Sequence, residues 1–235
     1  MTGPAPAPLP SSARQLARSL RSRIARLLRP APPKVDSAAY WEDRYRAGLT
    51  SGTGSYGRLA RFKAEFLNAF VAEHEVGSII EFGSGDGAQL ELAQYPAYVG
   101  VDVAETAIQE CRAKFADKPN YSFCKADEFD PSSRAELTLS LDVIYHLVED
   151  EVFEAYMHQL FDASTRFVII YSSNTDDEVA AAHVRRRLFT DWVSRNRRDF
   201  DLIQTVPNRY PFDPADPENT SQADFYVYRL GQSGG

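Results

Sequence analysis

Apolar residues along the chain fall into two repeats, short blocks of about five and longer stretches at helical spacing, and from residue 78 onward the two alternate. Runs near 78–82, 98–102, 121–125, 137–141 and 167–171 read as strands, since each is a brief block rich in β-branched and aromatic side chains. Segments near 88–94, 105–116, 149–162 and 190–198 read as helices between and after them. Such alternation implies a parallel sheet covered on both faces. The end of the chain breaks the rhythm: 202–206 and 223–228 are strand-like runs joined by a Pro/Asn/Asp-rich excursion without a helix, which points to an antiparallel pair. Upstream, 38–47 reads as a helix and 48–55 as a Gly/Ser-rich loop. Leu59, Phe62, Phe66, Leu67, Phe70 and Val71 then mark the apolar stripe of a longer helix starting at Tyr56-Gly57, with Ser55 as its N-cap.

The chemistry concentrates after the first of these strands. Ser78-Ile79-Ile80-Glu81-Phe82-Gly83-Ser84-Gly85-Asp86-Gly87 reads as a buried strand emptying into a glycine-rich turn that opens a helix. Glycines at alternate positions strip Cβ atoms from one side of the turn, so a nucleoside-bearing ligand can lie against main-chain N–H groups at a helix N-terminus. Gly83, Gly85 and Ala88 also satisfy the loose dinucleotide pattern G-x-G-x-x-G/A, and Asp102 follows Gly83 by 19 positions, near where a ribose-binding carboxylate is wanted. The spacing names a nucleoside site without naming the nucleoside. Glu81 discriminates, because a nicotinamide-binding strand keeps an apolar residue there, and a carboxylate in that place needs a cationic or hydrogen-bonding partner.

Glu81-x-Gly83-x-Gly85-x-Gly87, followed by Tyr98-Val99-Gly100-Val101-Asp102, resembles the first two motifs of class I S-adenosylmethionine-dependent methyltransferases. The resemblance covers roughly residues 38–230. It implies an α/β, doubly wound, mostly parallel seven-stranded sheet with a C-terminal antiparallel strand pair, helices on both faces, and a lid or cap formed by 38–74. It further implies that Gly83, Gly85 and Gly87 pack on the methionine and ribose portions of S-adenosylmethionine, that Glu81 helps anchor the amino-acid end, and that Asp102 accepts from the ribose hydroxyls. Val103, Leu141, Asp127 and Glu128 would complete the cofactor site, Asp127 by bonding the adenine amino group, although it could equally serve as a helix cap.

Ligands of open α/β sheets sit beyond the carboxyl ends of the strands. After the fourth strand, Ser140-Leu141-Asp142-Val143-Ile144-Tyr145-His146 looks like the family's post-strand motif. Asp142 and His146, four apart, would share a face if that segment is helical, which suits His146 as a general base and Tyr145 as a wall of the pocket. The alternative is that His146 only bonds a backbone carbonyl. Related ubiquinone-pathway O-methyltransferases place two glutamates and a histidine here around a divalent cation. The middle carboxylate is missing from this chain, so no metal is expected. Acceptor contacts are expected from the lid, with Tyr56 and Arg46, and from His183, Arg185 and Arg187, which at alternate positions could clamp a phosphate or carboxylate or could simply be a solvated charge run.

Charge changes the picture at the N-terminus. Residues 1–35 hold seven basic and no acidic residues, so this segment carries +7 and leaves −14 on the rest of a chain whose net charge is −7. The acidic body is a poor surface for nucleic acid. The leading segment starts Pro-rich and places Leu16, Leu20, Ile24 and Leu27 near helical spacing, a basic amphipathic stretch over 11–29 that suits an anionic membrane surface or a partner, or is a plain extension. Cys111 and Cys124 lack metal-ligand spacing, and no apolar run is long enough for a membrane span. The sequence therefore reads as a cytoplasmic protein, peripheral at the inner face of the membrane if the basic stretch binds there. The expected activity is methyl transfer to an oxygen, less favourably a nitrogen, of a small-molecule or saccharide acceptor. The competing readings are a nicotinamide-dependent oxidoreductase and a silent fold acting as a binding partner.

Overall fold

The computed structural model describes residues 36–231 apart from Glu178 and Ala180; the basic stretch over 11–29 lies outside the described residues. Seven strands form one sheet in the order β3-β2-β1-β4-β5-β7-β6, where β1 is Ile79–Phe82, β2 Tyr98–Asp102, β3 Tyr121–Lys125, β4 Ala135–Leu141, β5 Ser164–Ser172, β6 Phe200–Val206 and β7 Asp224–Leu230. The first five are mutually parallel. The last strand enters between β5 and β6 and pairs antiparallel with both, as the loss of alternation at the end of the chain implied. The helices are α1 (Ser37–Arg46), α2 (Gly57–Glu73), α3 (Glu105–Lys114), α4 (Asp150–Asp162) and α5 (Phe189–Asn196).

Side-chain parity along the central strands assigns the two faces. Ile79, Leu137, Leu139, Leu141, Phe167, Ile169 and Tyr171 pack with Phe62, Leu67, Phe70 and Val71 of α2 and with Ile108 and Cys111 of α3. Their neighbours Ile80, Phe82, Val168 and Ile170 pack on Phe153, Met157, Leu160 and Phe161 of α4 and on Trp192 of α5. Each fully buried aliphatic or aromatic side chain contributes roughly 1.5–3 kcal/mol, so both faces hold the sheet firmly. Glu81 shares the parity of Ile79 and therefore faces the α2 side, buried among apolar neighbours.

Two local expectations are corrected. Residues 88–94 form no α-helix; only a 3₁₀ turn, Leu90–Leu92, follows the glycines. Ala93 leaves that turn extended, and Pro96 disfavours helical backbone at the residue before it, so too few residues remain to sustain a helix. Consequently no helix N-terminus lies behind the glycine turn. Tyr56, not Ser55, occupies the cap position of α2 and makes no side-chain cap bond, because Ser55 belongs to a preceding 3₁₀ turn, Thr53–Ser55.

Candidate functional site

The strand order reverses between β1 and β4, and the crevice of an open α/β sheet opens at such a point. There, beyond the carboxyl ends of β1, β2 and β4, a cavity of about 470 Å³ is walled by residues such as Glu81, Gly83, Gly85, Asp102, Val103 and Leu141. A second cavity of about 220 Å³ adjoins it, and Asp142 lines both.

The glycine turn is tied down by Asp102. One carboxylate oxygen accepts from the Gly85 N–H at 2.8 Å and the other from the Ala104 N–H at 2.9 Å, which leaves further lone pairs on both. Burial raises the Asp102 pKa, partly countered by these amides. Gly83, Gly85 and Gly87 all have positive φ. A Cβ added to them would overlap Val143, Ser51 and the Cys111/Phe115 pair respectively, so the glycines are required by the protein's own packing.

Glu81 accepts from the Tyr98 hydroxyl at 2.8 Å, and burial pushes its pKa up to about 7, with the hydrogen bond from Tyr98 and the charge of Lys63 opposing. Lys63 comes from the middle of the apolar stripe of α2 and is 1% exposed. Its ammonium donates to Asp142 Oδ2 at 2.7 Å, and the Tyr145 hydroxyl donates to Asp142 Oδ1 at 2.9 Å. Asp142 has φ of 61°, a conformation tolerated by aspartate, which turns its carboxylate back toward α2.

His146 is placed differently from expectation. The segment after β4 is a 3₁₀ turn, Ile144–His146, and Asp142 bonds Lys63 and Tyr145 with no hydrogen bond to the imidazole. The ring Nδ1 lies 3.2 Å from the His183 carbonyl, which can only accept, so Nδ1 carries the proton and Nε2 keeps its lone pair. Burial lowers the His146 pKa to about 4, against the hydrogen bond to His183. The ring is wedged against Trp41 edge-on at 4.9 Å and lies parallel to His183 at 5.8 Å.

The N-terminal part forms the roof. Ser37 donates to both oxygens of Glu149 at the head of α4, and Glu42 accepts from Thr106 at the head of α3, so α1 spans the larger cavity between two helix starts. The following loop closes on the glycine turn: Ser51 N–H and the Tyr56 hydroxyl donate to Asp86 Oδ2 at 2.8 and 3.0 Å, while the Asp86 N–H donates to Ser51 Oγ at 3.0 Å. Burial opposes the charge of Asp86, yet these bonds outweigh it and hold the pKa below the ordinary value.

Several expected residues lie elsewhere. Arg46 turns outward to Glu42 and Asp43. Asp127 is paired with Lys125 at 3.1 Å, Glu128 accepts from the Lys125 N–H, and neither lines either of these two cavities, whereas the adjacent Ala126 lines the larger. Arg185 and Arg187 bind Asp150 and the carbonyls of Leu147 and Val148, so they staple their segment to α4. The His183 ring stacks on Tyr40 at 4.7 Å. Tyr145 and Arg186 line the smaller cavity, His146 the larger. Sequence reasoning missed Lys63, Asp86, Ser51 and Arg186. A lone lysine four residues from both Leu59 and Leu67 was the signal for the first; nothing in the irregular segment before α5 signals which arginine faces inward.

Among the described residues, no group of three or more His, Cys, Asp or Glu is arranged to hold a metal ion, and no helix is long and apolar enough to cross a membrane. The sheet order, the entry of β7 and the crevice beside β1 define the class I methyltransferase fold. The N-methyltransferase NodS of Bradyrhizobium japonicum WM9, solved with S-adenosyl-L-homocysteine, is similar to this chain at a TM-score of 0.62 and 14% identity, covering 84% of this chain and all of that one. Magnesium protoporphyrin IX methyltransferase (ChlM) of Synechocystis PCC 6803, also solved with that compound, gives 0.61 and 14% over 83% and 98%. A putative O-methyltransferase of Klebsiella pneumoniae gives 0.57 and 11% over 91% and 97%. At these identities the likeness is one of fold. No protein-family model and no curated protein sequence matches the chain.

Proposed function

We propose that the protein is an S-adenosylmethionine-dependent methyltransferase acting on an oxygen of a small-molecule acceptor. The observation that carries the reading is the larger cavity at the strand-order reversal, with a buried carboxylate on each of two adjacent strands. The cofactor fits what is there. Asp102 retains lone pairs for ribose hydroxyls, Val103 is exposed beside it, and Glu81 sets a carboxylate near the place for an ammonium. At the cavity wall Gln89 Oε1 and Ser84 Oγ are buried without partners among the described residues, so polar capacity is left over. Structural neighbours solved with S-adenosylhomocysteine or S-adenosylmethionine support the same cofactor. A buried acid within β1 and an antiparallel β7 both speak against a nicotinamide-dependent oxidoreductase.

The bound cofactor would supply an electrophilic methyl on a good leaving group, so the chain's own task is mostly alignment and exclusion of water. Orientation of this kind contributes several kcal/mol. Lys63 compensates Asp142, so the wall between the cavities is polar without carrying net charge. His146, neutral at physiological pH with Nε2 free of its proton, is the candidate base toward an acceptor hydroxyl, and a positioned base adds roughly 10²–10⁴-fold. Tyr145 holds Asp142 in place. The roof formed by α1 and Ser51–Asp86 covers one side of the cavity. Incubating cell extracts with the protein and an isotope-labelled methyl donor, followed by mass spectrometry, tests the activity. A labelled small molecule that depends on the protein is expected, and its absence across extracts in which the donor is bound would count against an active enzyme.

A further inference from the structure

We propose that the smaller cavity takes the acceptor and that the acceptor is a small carboxylic acid whose carboxylate is held by Arg186; this rests on the methyltransferase reading. Among the described residues, two charged ones line that cavity, Asp142 and Arg186. Asp142 is already committed to Lys63 and Tyr145. Arg186 makes no side-chain hydrogen bond or ion pair among the described residues, although the arginines on either side of it both bind Asp150 and backbone carbonyls.

Those neighbours are what aim it. The Arg185 N–H donates to the Tyr145 carbonyl at 2.7 Å, and the Arg185 and Arg187 side chains grip Asp150 and two carbonyls beyond the turn after β4. With both flanks pinned to that side, the intervening side chain lines the cavity. An anion meeting it finds a cation with no partner to give up among the described residues.

Size and lining narrow the class. A dry cavity of about 150 Å³ holds benzene, so about 220 Å³ has room for a ring or short chain with a carboxylate and one further polar group. Leu59, Val184 and Phe212 supply apolar wall, while the Thr220 hydroxyl is spent on carbonyls of its own loop. One guanidinium fork matches one planar carboxylate, and among the described residues no second cation lines the cavity to balance a phosphate dianion. Because Asp142 is shared with the larger cavity, the end of the acceptor opposite its carboxylate would extend past Asp142 into the larger cavity, where the methyl donor is proposed to lie and which His146 lines.

The test uses the full chain saturated with S-adenosylhomocysteine, and titrates three acids against their neutral amides: 4-hydroxybenzoate, mandelate and lactate. Phenyl phosphate serves as the dianionic competitor. At least one acid is expected to bind about tenfold or more tightly than its amide, the worth of one charge-assisted fork. Arg186→Gln should abolish that preference and Arg186→Lys should restore part of it, with S-adenosylhomocysteine affinity unchanged in both variants. If the cofactor product binds normally but no acid exceeds its amide, or the preference survives Arg186→Gln, the acceptor assignment is overturned and the methyltransferase reading stands. Tighter binding of phenyl phosphate than of every acid overturns the carboxylate assignment. Failure of S-adenosylhomocysteine to bind the unaltered chain removes both.

Discussion

Replacing Glu81 by Gln isolates the most unusual ionisation in the molecule. Burial raises the Glu81 pKa from 4.5 to about 7, so between these values the folded protein holds a proton that the unfolded chain has released. Stability must then fall as pH rises through that window, because the native state binds more protons than the unfolded one. Each pH unit is worth about 1.4 kcal/mol, and the whole window about 3 kcal/mol. A glutamine side chain in this place would keep an acceptor for the Tyr98 hydroxyl without titrating. The variant should match the native protein near pH 5 and exceed it by about 3 kcal/mol near pH 8. Urea unfolding of both proteins at half-unit pH intervals reads the difference directly, since groups that do not interact with Glu81 contribute equally to both. Parallel curves from pH 5 to pH 8 would refute the placement of an ionisable, unneutralised Glu81 beneath α2. The gain has a functional counterpart: at pH 8 the Glu81→Gln variant should bind S-adenosylmethionine more weakly, because the ammonium loses its counter-charge.

Other outcomes follow from the same contacts. Lys63→Met strands the Asp142 carboxylate, 17% exposed, and should cost about 3 kcal/mol of unfolding free energy; Asp142→Asn in the same chain should recover much of it. In the pH profile of methyl transfer, protonation of His146 is expected only near pH 4, and an acid limb near 7 in kcat/KM for the cofactor is expected from Glu81. Loss of that limb in His146→Gln instead of Glu81→Gln would reverse the assignment. Gly57 and Gly85 have nearly equal positive φ, but an added Cβ meets nothing at Gly57 and meets Ser51 and Tyr45 at Gly85. Gly57→Ala should therefore cost about 1–2 kcal/mol of backbone strain, and Gly85→Ala clearly more, with loosened cofactor binding; equal midpoint shifts in denaturant would contradict the crowding of the roof.

The sheet was legible in the sequence because its strands are short apolar blocks, and the antiparallel close was legible because helical spacing disappears after residue 200. Glu81, Gly83, Gly85 and Asp102 line one cavity, whereas Gly87 faces Cys111 and Phe115. The 88–94 segment misled because Ala, Gln, Leu and Glu favour helix by composition, while Pro96 and the preceding glycines leave too few residues for one. Arg46, Asp127, Arg185 and Arg187 stand outside both cavities for a common reason: each has a carboxylate partner that sequence spacing does not weigh, or in the case of Asp127 a local lysine. The inward arginine is selected by tertiary stapling of its neighbours, which no periodicity encodes. Lys63 was the readable omission, a lone charge in the middle of an apolar stripe that only a buried acid could balance.

A crystal structure of the protein with S-adenosylhomocysteine is the most direct trial of the central claim. The account places the nucleoside in the cavity beside β1, its ribose hydroxyls on Asp102 and its amino-acid end toward Glu81 and Lys63. Density for the compound elsewhere, or in that cavity with the ribose turned away from Asp102, would contradict it.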